Sequence, residues 1–182
     1  MLRNLDLSVL YALYGGDHPG ALRYLMIALT LLGSGWTLLV LVPFLVARST
    51  RRPCTEMLAA VLGASLIAFA LKLAVHRLRP SAALGLRPLW GNPGGFSFPS
   101  GHATGSFAVA AFIATIVVLR YLDRPPAVAF SALVALLAIG VGISRVYLGA
   151  HYPSDVLAAA VIGASVGTFV GVLEKKRFLG AS

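Results

Sequence analysis

From Tyr24 to Ala47 the chain runs for 24 residues without a charged side chain. That exceeds the roughly 20 apolar residues a helix needs to cross the hydrocarbon of a bilayer. In lipid every backbone N–H and C=O must be satisfied within the protein, so an isolated run of this kind is a helix. Four more runs follow: Met57 to Val75, uncharged until Lys72, then Ala103 to Leu119, Pro125 to Ser144 and Val156 to Leu173. Charge collects in the breaks, and only 12% of all residues are charged, against about 25% in a soluble domain. The pattern predicts an all-α fold: a polytopic transmembrane bundle of about five spanning helices, with residues 1–182 as a single membrane-embedded domain. Residues 4–15 are apolar but too short to cross, and read as a short N-terminal interfacial or re-entrant helix with Tyr11 and Tyr14 at headgroup level. Gly33, Ser34 and Gly35 are expected to kink the first span.

The formal net charge is +9. In a soluble protein this would suggest nucleic acid. Here the cations end apolar runs or sit in motifs, with no basic stripe interleaved with aromatics, so no nucleic-acid partner is expected. One side of the membrane receives Arg48, Arg51, Arg52, Arg120, Arg124, Lys175, Lys176 and Arg177; the other receives Arg3, Arg23, Lys72, Arg77, Arg79, Arg87 and Arg145. Setting aside Lys72, Arg79 and Arg145, which have a separate use, the first side is the richer and is cytoplasmic by the positive-inside rule. In the last run Ala159, Gly163, Gly167 and Gly171 recur at four-residue spacing and permit close helix contact. Packing within the bundle is one use of that face; a homodimer through Gly163, Gly167 and Gly171 is the other. The single Cys54 cannot form an intramolecular disulfide.

Three polar clusters fall on the non-cytoplasmic face. Lys72 and Arg79 are seven residues apart, which on a continuous helix places both on one side and Arg77 on another. Ser100, Gly101 and His102 precede the third long run, where the first amides and the dipole of a helix favour an anion. An N-cap accounts for Ser100 but not for an imidazole beside it. In the third cluster, Arg145 precedes His151 and Asp155, which are four apart. A helix starting near Pro153 lets Asp155 reach one ring nitrogen of His151, leaving the other as a nucleophile or base. Fixed cations, a helix N-terminus, two imidazoles and a carboxylate are what phosphoryl transfer without a metal requires: Arg79 and Arg145 grip oxygens as forks, Lys72 acts as a point charge, one histidine attacks phosphorus and the other protonates the leaving oxygen.

Lys72…Arg79-Pro80, Pro99-Ser100-Gly101-His102 and Ser144-Arg145…His151…Asp155 resemble, in order and spacing, the three signature motifs of the phosphatidic acid phosphatase type 2 superfamily. The apolar spans resemble its membrane lipid phosphatase branch rather than its soluble haloperoxidases. The resemblance implies a catalytic core over 72–155. In it His151 is the nucleophile, forming a phosphohistidine, and Asp155 orients it. His102 is general acid and then base, and Lys72, Arg79, Ser100, Gly101 and Arg145 hold phosphate. It implies no metal, no cofactor, a lipid phosphate substrate in the bilayer, and a site on the extracytoplasmic face of a bacterial inner membrane. Undecaprenyl diphosphate is the first substrate considered, with Arg87 available for a second phosphate; phosphatidic acid or phosphatidylglycerol phosphate is the alternative. Trp90, Phe96 and Phe98 are candidates to guide headgroup or tail. An anion or lipid transporter, or a non-catalytic lipid-binding protein, would use the same cations without needing a His–Asp pair beside a second histidine.

Overall fold

The structure, a computed structural model, describes residues 2–16, 20–91 and 94–179. The side chains of Lys175, Lys176 and Arg177, counted above for orientation, lie outside the described residues. Regular structure among the described residues is helical: α1 (Leu2–Leu13), α2 (Ala21–Leu32), a 3-10 turn (Gly35–Leu41), α3 (Val42–Val46), α4 (Arg48–Val75), α5 (Pro80–Leu84), α6 (Gly101–Arg120), α7 (Pro125–Tyr147) and α8 (Pro153–Leu179). Among the described residues four helical segments are long and apolar enough to span: Thr50–Leu84, Gly101–Arg120, Pro125–Tyr147 and Pro153–Glu174. A fifth span is bent by 60° between Ala21–Leu32 and Gly35–Val46, at the glycines expected to kink it. The protein is an integral membrane helix bundle.

Helix α6 is the centre of the bundle, packed against α8, α7 and α4. The α6–α8 seam is close because α8 presents glycine to it. A Cβ on Gly163 would fall on the Thr104 carbonyl, one on Gly167 on the Ala108 carbonyl, and one on Gly171 would press Thr115 at 2.9 Å. The backbones therefore meet directly, as small-residue stripes allow in lipid. This corrects the homodimer expectation: the face carrying Gly163, Gly167 and Gly171 is already covered by α6.

Two local readings also change. Helix α4 does not continue to Arg79. It stops at Val75, where His76 turns left-handed (φ 51°) and donates its N–H to the Lys72 carbonyl at 3.2 Å. Arg79 instead precedes α5, where Pro80 starts a new turn. Lys72 and Arg79 thus reach the same region from two elements rather than along one helix. Helix α1 is short, as expected, but it is more than an interfacial float. Its inner face buries Leu10 against Val146 and Tyr152, and Asp6 beside it. Beyond α1, Gly15 donates to the Tyr147 carbonyl (3.1 Å), the Tyr14 hydroxyl donates to the Arg87 carbonyl (2.7 Å) and Arg23 donates to the Leu89 carbonyl (2.8 Å). The N-terminal region braces the loops that carry the polar clusters.

Candidate active site

The loop 148–152 carries His151 between α7 and α8. Its amide and that of Ala150 both donate to the Arg145 carbonyl, at 3.2 and 3.0 Å, so the last turn of α7 sets the loop's path. Gly149 makes the turn at φ 70°, a backbone region that favours glycine. The Leu89 amide, donating to the Leu148 carbonyl at 3.1 Å, holds the loop from the opposite side.

The His151 ring is 2% exposed and its two nitrogens face different partners. Nε2 lies 3.1 Å from Arg79 Nη1. A guanidinium has donors and no acceptor, so Nε2 carries the lone pair and the proton stands on Nδ1. Nδ1 faces Asp155 Oδ2 at 3.6 Å and Ser97 Oγ at 3.5 Å. The expected His151–Asp155 pair is present, then, but with Ser97 between its members: the Ser97 hydroxyl donates to Asp155 Oδ2. Asp155 is fully buried in the first turn of α8, which begins at Pro153 as anticipated. Its Oδ2 also accepts the Tyr152 amide at 2.9 Å, and its Oδ1 accepts Arg77 Nη1 at 2.7 Å. Burial holds the His151 imidazole down at about 3 from the usual 6.5, with Arg79 and Arg145 pushing the same way and Asp155 opposing. The ring is neutral at physiological pH.

Cations and donors without partners gather at this end of the bundle. Arg79 is fixed by Nε donating to the Gly94 and Gly95 carbonyls (3.2 Å each) and Nη1 to the Ala150 carbonyl (3.0 Å). Arg145, 7% exposed, donates from Nη1 to the Thr30 hydroxyl, while its buried Nε has no partner. Ser100 stands at the N-cap position of α6 but makes no capping bond, and its buried hydroxyl is also without a partner. Ser100 is therefore not explained as a cap. A Cβ on Gly101 would meet nothing within 4 Å, so the N-terminus of α6 opens onto free space. Lys72, Arg79 and Arg145 all act electrostatically on His102, in the first turn of that helix. Lys72 Nζ donates to the Pro99 carbonyl at 2.7 Å and the Phe96 carbonyl at 3.0 Å, so it also shapes the turn leading into α6.

All eight residues singled out from the sequence thus belong to this one end of the bundle. Arg87 does not join them: its side chain is exposed and only its carbonyl is used. Trp90 is 46% exposed, and Phe96 packs edge-on against His76 at 4.4 Å. Four participants escaped the sequence reading: Ser97, Arg77, Thr30 and Asp6. Among the described residues no three His, Cys, Asp or Glu side chains converge as a metal site would need. Two surface grooves of about 520 and 420 Å³ lie elsewhere, along Val118–Asp123 and between α6 and α8.

A family model described as the PAP2 superfamily matches residues 53–178, which includes every element of the cluster except the α1 and α2 contributions. The chain is 33% identical over 139 residues to decaprenylphosphoryl-5-phosphoribose phosphatase of Mycobacterium tuberculosis, covering 75% of this chain and 70% of that protein. It is 40% identical over 109 residues to lipid A 1-phosphatase of Rhizobium johnstonii, covering 57% of this chain and 41% of that one. The chain spans between 28% and 42% of the length of the three lipid A phosphatases it matches. The crystal structure of a transmembrane PAP2-type phosphatidylglycerolphosphate phosphatase from Bacillus subtilis superposes with a TM-score of 0.81 at 28% identity, covering 96% of this chain and 87% of that one.

Proposed function

Because the chain belongs to the PAP2 superfamily, we propose that it is a membrane lipid phosphatase, with residues 1–182 acting as one domain that hydrolyses a lipid phosphomonoester without a metal. The observation that carries this is the His151 ring. Its lone pair points toward Arg79, while Asp155 and Ser97 face its protonated nitrogen. Nε2 attacks phosphorus as the bond to the lipid oxygen breaks, and His102 gives that oxygen its proton. The phosphohistidine is then attacked by water, whose proton His102 takes. The P–N bond breaks, inorganic phosphate leaves, and both histidines return to their starting states. Arg79, Arg145, the Ser100 hydroxyl and the first amides of α6 bind the equatorial oxygens, where negative charge accumulates. Lys72 adds charge and holds the turn that aims those amides.

A single phosphate fits better than a diphosphate. The one side chain available for a second phosphate was Arg87, and it is exposed. The similarity to a phosphatidylglycerolphosphate phosphatase supports phosphatidylglycerol phosphate, or phosphatidic acid, as the substrate class. The site faces the extracytoplasmic side of a bacterial inner membrane. Arg23 and Arg77 now join Lys72, Arg79 and Arg145 as cations with structural or site uses. That leaves Arg3 and Arg87 on that side against the larger basic set on the other.

The test is phosphate release by purified protein in detergent with chelator present, using phosphatidylglycerol phosphate, phosphatidic acid and undecaprenyl diphosphate side by side. The expected order places the phosphomonoesters first, and His151→Gln reduces turnover by at least ~10⁴-fold. Faster release from the diphosphate would return the substrate reading to the polyprenyl lipid. An absolute requirement for a divalent ion would overturn the mechanism.

A further inference from the structure

The mechanism above leaves unused a buried carboxylate at the same end of the bundle as His151. Asp6 lies on α1, on the same face as Leu10, and is 8% exposed, whereas its neighbours Leu5 and Val9 are exposed. A lone carboxylate beside hydrocarbon is costly, and this one is fully engaged. Oδ2 accepts Arg77 Nη2 at 2.7 Å and the Ser154 hydroxyl at 2.5 Å, and Oδ1 accepts the Ser154 amide at 2.8 Å. Ser154 is the second residue of α8. Asp6 therefore supplies, from a different helix, the acceptor that an N-cap side chain gives to the free amides of a first turn. The next residue along that turn is Asp155. The guanidinium that binds Asp6 through Nη2 binds Asp155 through Nη1, also at 2.7 Å, and its carbon stands 3.9 Å over the Tyr152 ring. Asp6 thus reaches Asp155 by two routes: through its ion-pair partner and through the helix turn that carries it.

We propose that Asp6 is a positioning residue for the His151–Asp155 pair, acting through Arg77 and the first turn of α8, so that α1 is part of the reaction centre. The proposal rests on the phosphatase reading given above. Without the Asp6 charge, Arg77 keeps one carboxylate of two, and the Ser154 amide is left with a neutral amide oxygen in place of a carboxylate. Asp155 then holds the Nδ1 proton over a spread of geometries, and Nε2 is aimed at phosphorus less of the time. Asp6 does not touch substrate, so the loss falls on the chemical step and not on binding.

The experiment uses Asp6→Asn in the full-length protein, with two readouts. One is kcat and KM for phosphate release from phosphatidylglycerol phosphate in detergent. The other is ¹⁵N-histidine NMR, with His151 assigned from its absence in His151→Gln. The expected result is a kcat lower by roughly tenfold, the size outer partners of an oriented imidazole carry, with KM unchanged and the Nδ1–H signal of His151 shifted or broadened. Asp6→Glu, which keeps the charge, recovers part of the rate. In a cycle with Arg77→Lys, whose one nitrogen cannot hold two carboxylates, the two losses are non-additive. A folded Asp6→Asn with unchanged kcat and an unchanged His151 signal overturns the proposal, and so do strictly additive losses. If Asp6→Asn does not fold, Arg77→Lys reads the same quantity, and a wild-type kcat there overturns it. Wild-type protein that releases no phosphate from any lipid phosphate refutes the phosphatase reading instead, while the NMR arm still decides on Asp6.

Discussion

Helices α6 and α8 run together through the bundle and carry buried charge at both ends, but the two ends are built differently. Where α6 finishes, Arg120 meets Glu174 of α8 at 2.8 Å, with side chains 19% and 5% exposed. Where α6 begins, Lys72, Arg77, Arg79 and Arg145 gather with two carboxylates, Asp6 and Asp155, an excess of two positive charges. The Arg145 Nε and the Ser100 hydroxyl there also lack partners. At the Arg120–Glu174 end the two charges of the pair cancel. A surplus of cations is stable only at a cost, a cost that a bound dianion would offset. A phosphomonoester carries close to two negative charges at neutral pH.

Breaking the surplus end gives the largest effect. Arg145→Ala should lower kcat/KM by about 10²–10³-fold, the range for removing one donor to a developing oxyanion. Inorganic phosphate should raise the Tm of the wild type, because it binds only the folded state, and should raise the Tm of the variant much less. Equal phosphate stabilisation in both would remove Arg145 from the cradle. The opposite end should respond the other way round. Arg120→Gln leaves the Glu174 carboxylate buried beside a neutral group and should cost about 3 kcal/mol of stability, read in chemical denaturation, while kcat at a temperature where the variant is folded stays at the wild-type value. A large fall in kcat there would mean the two ends are coupled and the contrast is false.

A further effect is a pH slope confined to the site. The folded chain keeps His151 neutral down to about 3, but the unfolded chain takes up a proton at the usual 6.5. Stability on this account is flat above 6.5 and drops as pH falls through the window between those values, by up to ~1.4 kcal/mol per pH unit. His151→Gln should flatten that part of the Tm–pH curve. An identical acid slope in both proteins would mean that His151 is protonated in the folded state.

What could be read in the sequence follows from distance along the chain. Apolar runs report their own environment, so the spans and the kink near Gly33 were legible. The three motifs were legible because each is local, and the turn at Pro153 brings His151 and Asp155 together over four residues. Arg77 was misplaced because helical spacing was carried past Val75, and nothing in Ala74-Val75-His76 announces a left-handed residue. Ser97 follows no periodic pattern, and Thr30 sits in an apolar run where a single hydroxyl is unremarkable. Asp6 contacts residues 71 and 148 positions away, which no spacing rule spans. One signal was available: the chain has only six acidic residues, and one of them lies inside an apolar N-terminal segment. At the other extreme the glycine stripe was seen, but its periodicity is the same whether the neighbour is α6 or a second chain.

The central claim is that the surplus-charge end transfers a phosphoryl group to His151. It is tested most directly by quenching the enzyme during turnover of ³²P-labelled phosphatidylglycerol phosphate in chelator and mapping the label by peptide. The account predicts an acid-labile, base-stable phosphohistidine at His151, present without metal and absent in His151→Gln. Label on another residue, or phosphate release at the wild-type rate by His151→Gln, would contradict it.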